Sequence, residues 1–149
     1  MSIIIRQIQT TDYAEWLRLR QALWPEPEDK VAELEREMAE IAADPEQPVF
    51  IAEHPEGGLC GFLEVSIRKS AEGCTSDRIG YLEGWYVDPD MRGQGVGRAL
   101  VEAAEIWARA QGCIEMASDT TFDYPLSPDA HQKLGYEEVQ RTIHFRKGL

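Results

Sequence analysis

The chain has few of the residues that define several large protein classes. Its 149 residues contain three cysteines, Cys60, Cys74 and Cys113. Their odd number and wide spacing fit neither a disulfide framework nor a zinc pattern, and they read as reduced thiols of a cytoplasmic protein. The three histidines, His54, His131 and His144, are dispersed and form no metal site. No apolar run approaches the length that spans a bilayer. The segment Met1-Ser2-Ile3-Ile4-Ile5-Arg6 has too short an apolar run, and the wrong flanks, for a signal peptide. A cytoplasmic protein without membrane contact is expected. Basic residues are also scarce: 15 Lys and Arg face 27 Asp and Glu, a net charge of −12. Nucleic acid is a poor partner for such a chain. A cationic small molecule is a good one, because an acidic cleft concentrates cations. Acidity for solubility alone is the other reading at this level.

What is present is an ordinary soluble composition, 43% hydrophobic and 28% charged, in a length that makes one domain, residues 1–149, the expectation. Ile3–Ile8 reads as a strand. Asp12 with Glu15 fits a capping-box helix start, leading into a helix from Tyr13 to Leu23 with Trp16, Leu19 and Leu23 on one side. Trp24-Pro25-Glu26-Pro27 ends it. Asp29 to Ala43 is a second, highly charged helix with Val31, Leu34, Met38 and Ile41 as its apolar stripe. Strands follow at Val49–Glu53, Cys60–Arg68 and Ile79–Val87, separated by a Pro55-Glu56-Gly57-Gly58 turn and a polar loop at Lys69–Asp77. A helix from Val96 to Gln111, a strand Cys113–Ser118, a short helix Ser127–Leu134 closed by Gly135, and a final strand or hairpin arm Tyr136–Lys147 complete the chain. The order predicts a mixed α/β fold, with a sheet that is antiparallel early and partly parallel late.

The segment Arg92-Gly93-Gln94-Gly95-Val96-Gly97 lies between a strand broken by Asp88-Pro89-Asp90 and a helix start. Free backbone N–H groups and the helix dipole make such a turn an anion cradle. No Gly-Lys-Ser/Thr follows the glycines, and their spacing is not that of the dinucleotide fingerprint. The Arg-x-x-Gly-x-Gly spacing resembles the acetyl-coenzyme A loop of the GNAT N-acetyltransferases, whose fold is a mixed central sheet flanked by helices in this element order. The resemblance implies acetyl-coenzyme A as co-substrate, held by Arg92, Gly93, Gln94, Gly95, Val96 and Gly97. Backbone groups of Tyr86 and Val87 are expected to pair with its pantetheine arm as an added strand would. An N–H near Val87 is expected to face the thioester.

The likeness narrows through Leu23-Trp24-Pro25, Gly61-Phe62-Leu63-Glu64-Val65-Ser66-Ile67-Arg68, Tyr81-Leu82-Glu83-Gly84-Trp85-Tyr86-Val87, Glu115-Met116-Ala117-Ser118-Asp119-Thr120 and His131-Gln132-Lys133-Leu134-Gly135-Tyr136. These blocks are similar to aminoglycoside 6′-N-acetyltransferases over nearly the whole chain. That resemblance implies acetylation of the 6′-amine of an aminoglycoside by direct attack in a ternary complex, resistance as its consequence, and a homodimer. Acetylation of another polycationic amine, such as a polyamine or a protein lysine, stays open. So does a coenzyme A-binding module without turnover.

The chemistry asks for a carboxylate that holds an ammonium group and takes its proton. Glu83 is the first candidate, for catalysis and substrate binding. In a regular strand it would share a face with Trp85 and Val87, and its bland reading is a solvated strand residue. Asp119, at a strand end where ligand crevices form, is the second candidate for both roles; turn capping is its alternative. Asp123 and Asp129 read as turn and helix-start residues. His131 stands where many GNAT enzymes have a tyrosine, and an imidazole can donate a proton to a leaving thiolate; packing or hydrogen bonding is an equal reading. Trp24, Trp85 and Tyr86 offer flat walls for sugar rings, with Trp24 the best placed in a cleft. Trp16 and Trp107 read as core.

Overall fold

The computed structural model describes residues 2–149. Five strands form one sheet: β1 (Ile5–Gln7), β2 (Val49–Glu53), β3 (Leu59–Arg68), β4 (Ile79–Val87) and β5 (Glu115–Ser118), in sequential order. The first four pair antiparallel, and β5 runs parallel to β4. The helices are α1 (Tyr13–Leu23), α2 (Val31–Ala43), α3 (Val96–Ala110) and α4 (Ser127–Lys133). The expected mixed sheet with a late parallel pair is therefore the observed one.

Strand alternation divides the core into two layers. Phe50, Ala52, Leu63, Val65 and Leu82 pack with Val96, Leu100, Val101 and Ala104 of α3 on one face. Ile51, Val49 and Phe62 pack with Trp16 and Leu19 of α1 and Met38 and Ile41 of α2 on the other. Each fully buried Leu, Val or Ile stabilises the fold by roughly 1.5–3 kcal/mol relative to exposure. Trp16 is core, as its spacing predicts, and Trp107 is partly buried against the α3 layer.

Two local expectations are corrected. The Asp12 carboxylate caps one turn earlier than the Asp12–Glu15 pattern suggests. It accepts from the Gln9 backbone N–H at 2.8 Å and from Arg6, whereas Glu15 accepts from Arg18 and from the Leu59 N–H. Asp12 lies in a 3-10 turn (Thr10–Asp12) that precedes α1, which shifts the free N–H groups upstream. The second correction is at the end of the chain. Residues 136–147 form no strand, although the apolar/polar alternation of Val139, Ile143 and Phe145 is present. A strand needs a ladder, and no strand of the described residues pairs with this segment.

Candidate active site

β4 and β5 separate inside the sheet. Their pairing runs from Ile79–Glu115 to Leu82–Ser118 and stops, while β4 continues to Val87. Past Leu82, the β5-side edge of β4 therefore has no strand partner among the described residues, and Tyr86 and Val87 lie on this stretch. The reason is local. Asp119 and Thr120 leave the strand at the end of β5, and β4 must reach Asp88 and the glycine turn.

That turn delivers the chain to α3 with Gly93 at φ +75° and Gly95 at φ +86°. Side chains other than glycine and a few Asn or Asp rarely adopt this conformation. A Cβ at either position would meet no protein atom within 4 Å, so the concave side of the turn is open. Gly95 is the N-cap of α3 and supplies no side-chain cap; the first helical bond closes from Ala99 N–H to Gly95 O at 3.0 Å. The N–H groups of Val96, Gly97 and Arg98 precede that bond, and no acidic residue lies in the first turn. Arg92 donates through Nε to Val87 O at 2.8 Å, and its guanidinium lies 5.5 Å from the Tyr86 ring centre. The buried indole N–H of Trp85, packed near Gly97, has no hydrogen-bond partner. These donors suit an anionic, amide-bearing ligand laid along β4 and ended at the α3 N-terminus.

Glu83 differs from its expected phase. Glu64 pairs with Gly84 and Val65 with Leu82, so Glu83 is the extra residue of a β-bulge. A bulge reverses the alternation beyond it. Trp85 and Val87 pack toward α3, while Glu83 turns to the opposite face. There it accepts from Ser66 Oγ at 2.5 Å and from Arg68 Nη2 and Nε at 2.6 and 2.9 Å. The Arg68 guanidinium lies 3.5 Å from the centre of the Tyr81 ring. The Tyr81 hydroxyl donates to Asp119. Burial, helped by that carboxylate, pushes the Tyr81 phenol well above its ordinary pKa, so it remains a donor. One network, Ser66–Glu83–Arg68–Tyr81–Asp119, thus joins both predicted carboxylates.

A cavity of about 330 Å³ opens beside Glu83, lined also by Trp24, Glu26, Glu37, Glu64 and Arg20. The far edge of the Trp24 ring lies against Gly84 of β4, and any Cβ there would run into it. Of the three aromatic walls expected, only Trp24 lines this cavity. Trp85 faces α3, and Tyr86 packs at the α1–α2 layer.

The sequence reading missed Arg20 and Glu64. Both are about 95% buried and paired bidentately at 2.7 and 2.8 Å, with Trp16 Nε1 donating to Glu64 at 3.0 Å. The signal was there: Arg20 stands four residues after Trp16 on the apolar side of α1, and Glu64 alternates with Phe62. Charged residues in buried phase imply a partner.

His131 meets the site through a hydrogen bond to Ser118 and an edge-on contact with Trp85, ring centres 5.3 Å apart. Nδ1 is 2.8 Å from Ser127 O and Nε2 is 2.8 Å from Ser118 Oγ. A carbonyl only accepts, so Nδ1 carries the proton, and in the neutral ring Nε2 accepts from Ser118. Asp123 lies in a turn, and Asp129 in the first turn of α4 pairs with Lys133. Burial raises the pKa of all three thiols.

The strand-turn-helix cradle beside a parted parallel pair is that of an acetyltransferase. Residues 13–136 match the acetyltransferase (GNAT) family, and the chain belongs to it. The chain is 47% identical to the aminoglycoside N(6')-acetyltransferase type 1 of Klebsiella aerogenes, over 99% of this chain and 98% of that protein. It is 42% identical to the Stenotrophomonas maltophilia enzyme of the same name, over 97% and 93%. Among solved structures, AAC(6')-Iy in complex with a bisubstrate analog, CoA-S-monomethyl-acetylneamine, matches all of both chains with a TM-score of 0.87 at 38% identity. AAC(6')-Ih from Acinetobacter baumannii matches 99% of each with a TM-score of 0.88 at 32% identity.

Proposed function

We propose that the protein transfers acetyl from acetyl-coenzyme A to the 6′-amine of aminoglycosides, and thereby gives resistance to them. The observation that carries this reading is the acidic cavity that ends on Glu83, where β4 has parted from β5. Relatives with the same fold over the same length are named for this activity, and one is solved with an aminoglycoside bisubstrate analog. The activity resides in one domain, residues 1–149.

Acetyl-coenzyme A, when bound, supplies the acetyl group as an activated thioester, and coenzyme A thiol is the leaving group. The N–H groups of Val96 and Gly97, with the open turn at Gly93, Gln94 and Gly95, hold its pyrophosphate. Arg92 adds positive charge near that end and clamps the turn to Val87. The β5-side edge of β4 at Tyr86 and Val87 aligns the pantetheine arm, and a backbone N–H near Val87 orients the carbonyl. Glu83 holds the acceptor's ammonium and takes the proton that the nitrogen must lose before attack. Asp119, kept in place by Tyr81, binds a second amine. Trp24 forms a wall for a sugar ring, and Glu26 and Glu37 attract the remaining ammonium groups. His131 acts through Ser118: when both ring nitrogens carry a proton, Nε2 donates to Ser118 Oγ and frees the hydroxyl proton for the departing sulfur.

The protein works as a homodimer. The exposed arm at 137–147, with Val139, Ile143 and Phe145 in alternation, has no strand partner among the described residues, and a second copy would supply one. The three free thiols fit a reducing cytoplasm, and no helix among the described residues is long and apolar enough to cross a membrane.

The test is thiol release from acetyl-coenzyme A with an amine panel. Turnover should require a primary 6′-amine. Glu83→Gln should lower kcat about 10²–10⁴-fold and recover rate as pH rises. Asp119→Asn should mainly raise the acceptor KM, and His131→Ala should lower kcat less than Glu83→Gln does. Wild-type constants in both carboxylate variants would overturn the site, and turnover of polyamines or lysine peptides in place of aminoglycosides would overturn the substrate.

A further inference from the structure

Glu83 already has a cation. Arg68, the last residue of β3, grips both of its oxygens, and Ser66 Oγ takes a third position. A carboxylate offers about four lone-pair positions, so an incoming ammonium finds one left, beside a fixed positive charge. The guanidinium is held flat on the Tyr81 ring, yet the Arg68 side chain is 43% exposed. It can swing to solvent without opening the core.

We infer that Arg68 is an internal counter-ion that the acceptor's ammonium must displace from Glu83, and that it thereby sets acceptor affinity and selects for polycations. This rests on the reading of Glu83 as the acceptor-facing carboxylate. The bulge at Glu83 is what brings the two side chains together, by turning Glu83 onto the face that carries Ser66 and Arg68. A bidentate guanidinium–carboxylate pair is stronger than a single ammonium contact. A monoamine anchored at Glu83 alone therefore loses the competition. A polycation that also engages Glu26, Glu37 and Trp24 of the cavity wins it, because its remaining contacts raise the local concentration of its ammonium at Glu83. Arg68 also keeps the carboxylate aimed and paired between turnovers. It acts through Glu83 and is a positioning residue.

The experiment measures kanamycin binding by calorimetry on the coenzyme A-loaded protein, for wild type, Arg68→Met, Arg68→Lys, Glu83→Gln and the Glu83→Gln/Arg68→Met pair. Removing a half-exposed competing pair should tighten kanamycin binding about threefold to tenfold in Arg68→Met, with a 6′-hydroxyl analogue changed less than about twofold. Arg68→Lys should fall between wild type and Arg68→Met, since it keeps the charge but loses the bidentate grip. In the Glu83→Gln background, Arg68→Met should have no effect, because the competition has lost its object; a merely structural arginine would show the same effect in both backgrounds. Unchanged or weaker kanamycin binding in Arg68→Met, with Glu83→Gln still impaired, would overturn the counter-ion role and leave the active site standing. A Glu83→Gln protein with normal binding and turnover would overturn the placement of Glu83, and this proposal with it.

Discussion

The buried pair Arg20–Glu64 gives the sharpest quantitative test of the structure. Glu64 accepts three hydrogen bonds, two from Arg20 and one from Trp16, at 2.7–3.0 Å with both charges almost wholly out of water. Glu64→Leu would leave the Arg20 guanidinium without its bidentate partner; Glu37, at 3.7 Å and exposed, is a weak substitute. Breaking a buried pair on one side costs about 3–5 kcal/mol, and the orphaned Trp16 N–H adds to it. For a chain of this size that is a fall in Tm of roughly 10 °C or more. Replacing both partners, Arg20→Met with Glu64→Leu, removes the desolvation of both ions and should return most of the loss, since apolar pairs of similar volume often match a buried ion pair. Urea unfolding followed by circular dichroism measures all four proteins, and their double-mutant cycle gives the coupling. The Arg20 guanidinium also sits 5.1 Å from the Trp24 ring centre. The double variant should therefore weaken acceptor binding while leaving coenzyme A binding unchanged. A Glu64→Leu cost under 1 kcal/mol, or additive single and double effects, would refute the buried-pair reasoning.

Two further expectations follow from the cradle and the first turn. Gly95→Asp keeps a residue type that tolerates positive φ but aims a carboxylate at the pyrophosphate position, so coenzyme A affinity should fall at least about 100-fold by calorimetry; Gly95→Asn, neutral and of the same shape, should lose far less. Hydrogen bonds from Arg6 hold the Asp12 carboxyl below the usual carboxylate range. A depressed carboxylate contributes stability above its unfolded pKa of about 3.9 that is lost as pH falls through the folded value. Asp12→Asn should thus cost about 1.5–3 kcal/mol at pH 7 and progressively less as pH falls below about 3.9, and a cost that does not change with pH would refute the assignment.

The glycine turn was legible because it is local. Strand, Asp-Pro break, glycines and helix start are contiguous, and their backbone chemistry needs no distant partner to be recognised. The mixed sheet flanked by helices was legible for a similar reason: periods of two and of 3.6 state which side of each element is buried. The sequence also named Glu83, Asp119 and Trp24 as site residues, and the structure gathers the carboxylates into one network and lines the acidic cavity with Glu83 and Trp24. What it could not state is orientation across elements. Glu83 faces Arg68 rather than α3 because a single inserted residue in β4 shifts the register against β3, and a register is a property of two strands. Arg20 and Glu64 are 44 positions apart and look like ordinary surface charges until α1 is laid on the sheet. The segment after Tyr136 carries a strand's alternation but no ladder, because alternation describes side chains, whereas a strand exists only where another backbone accepts and donates its hydrogen bonds.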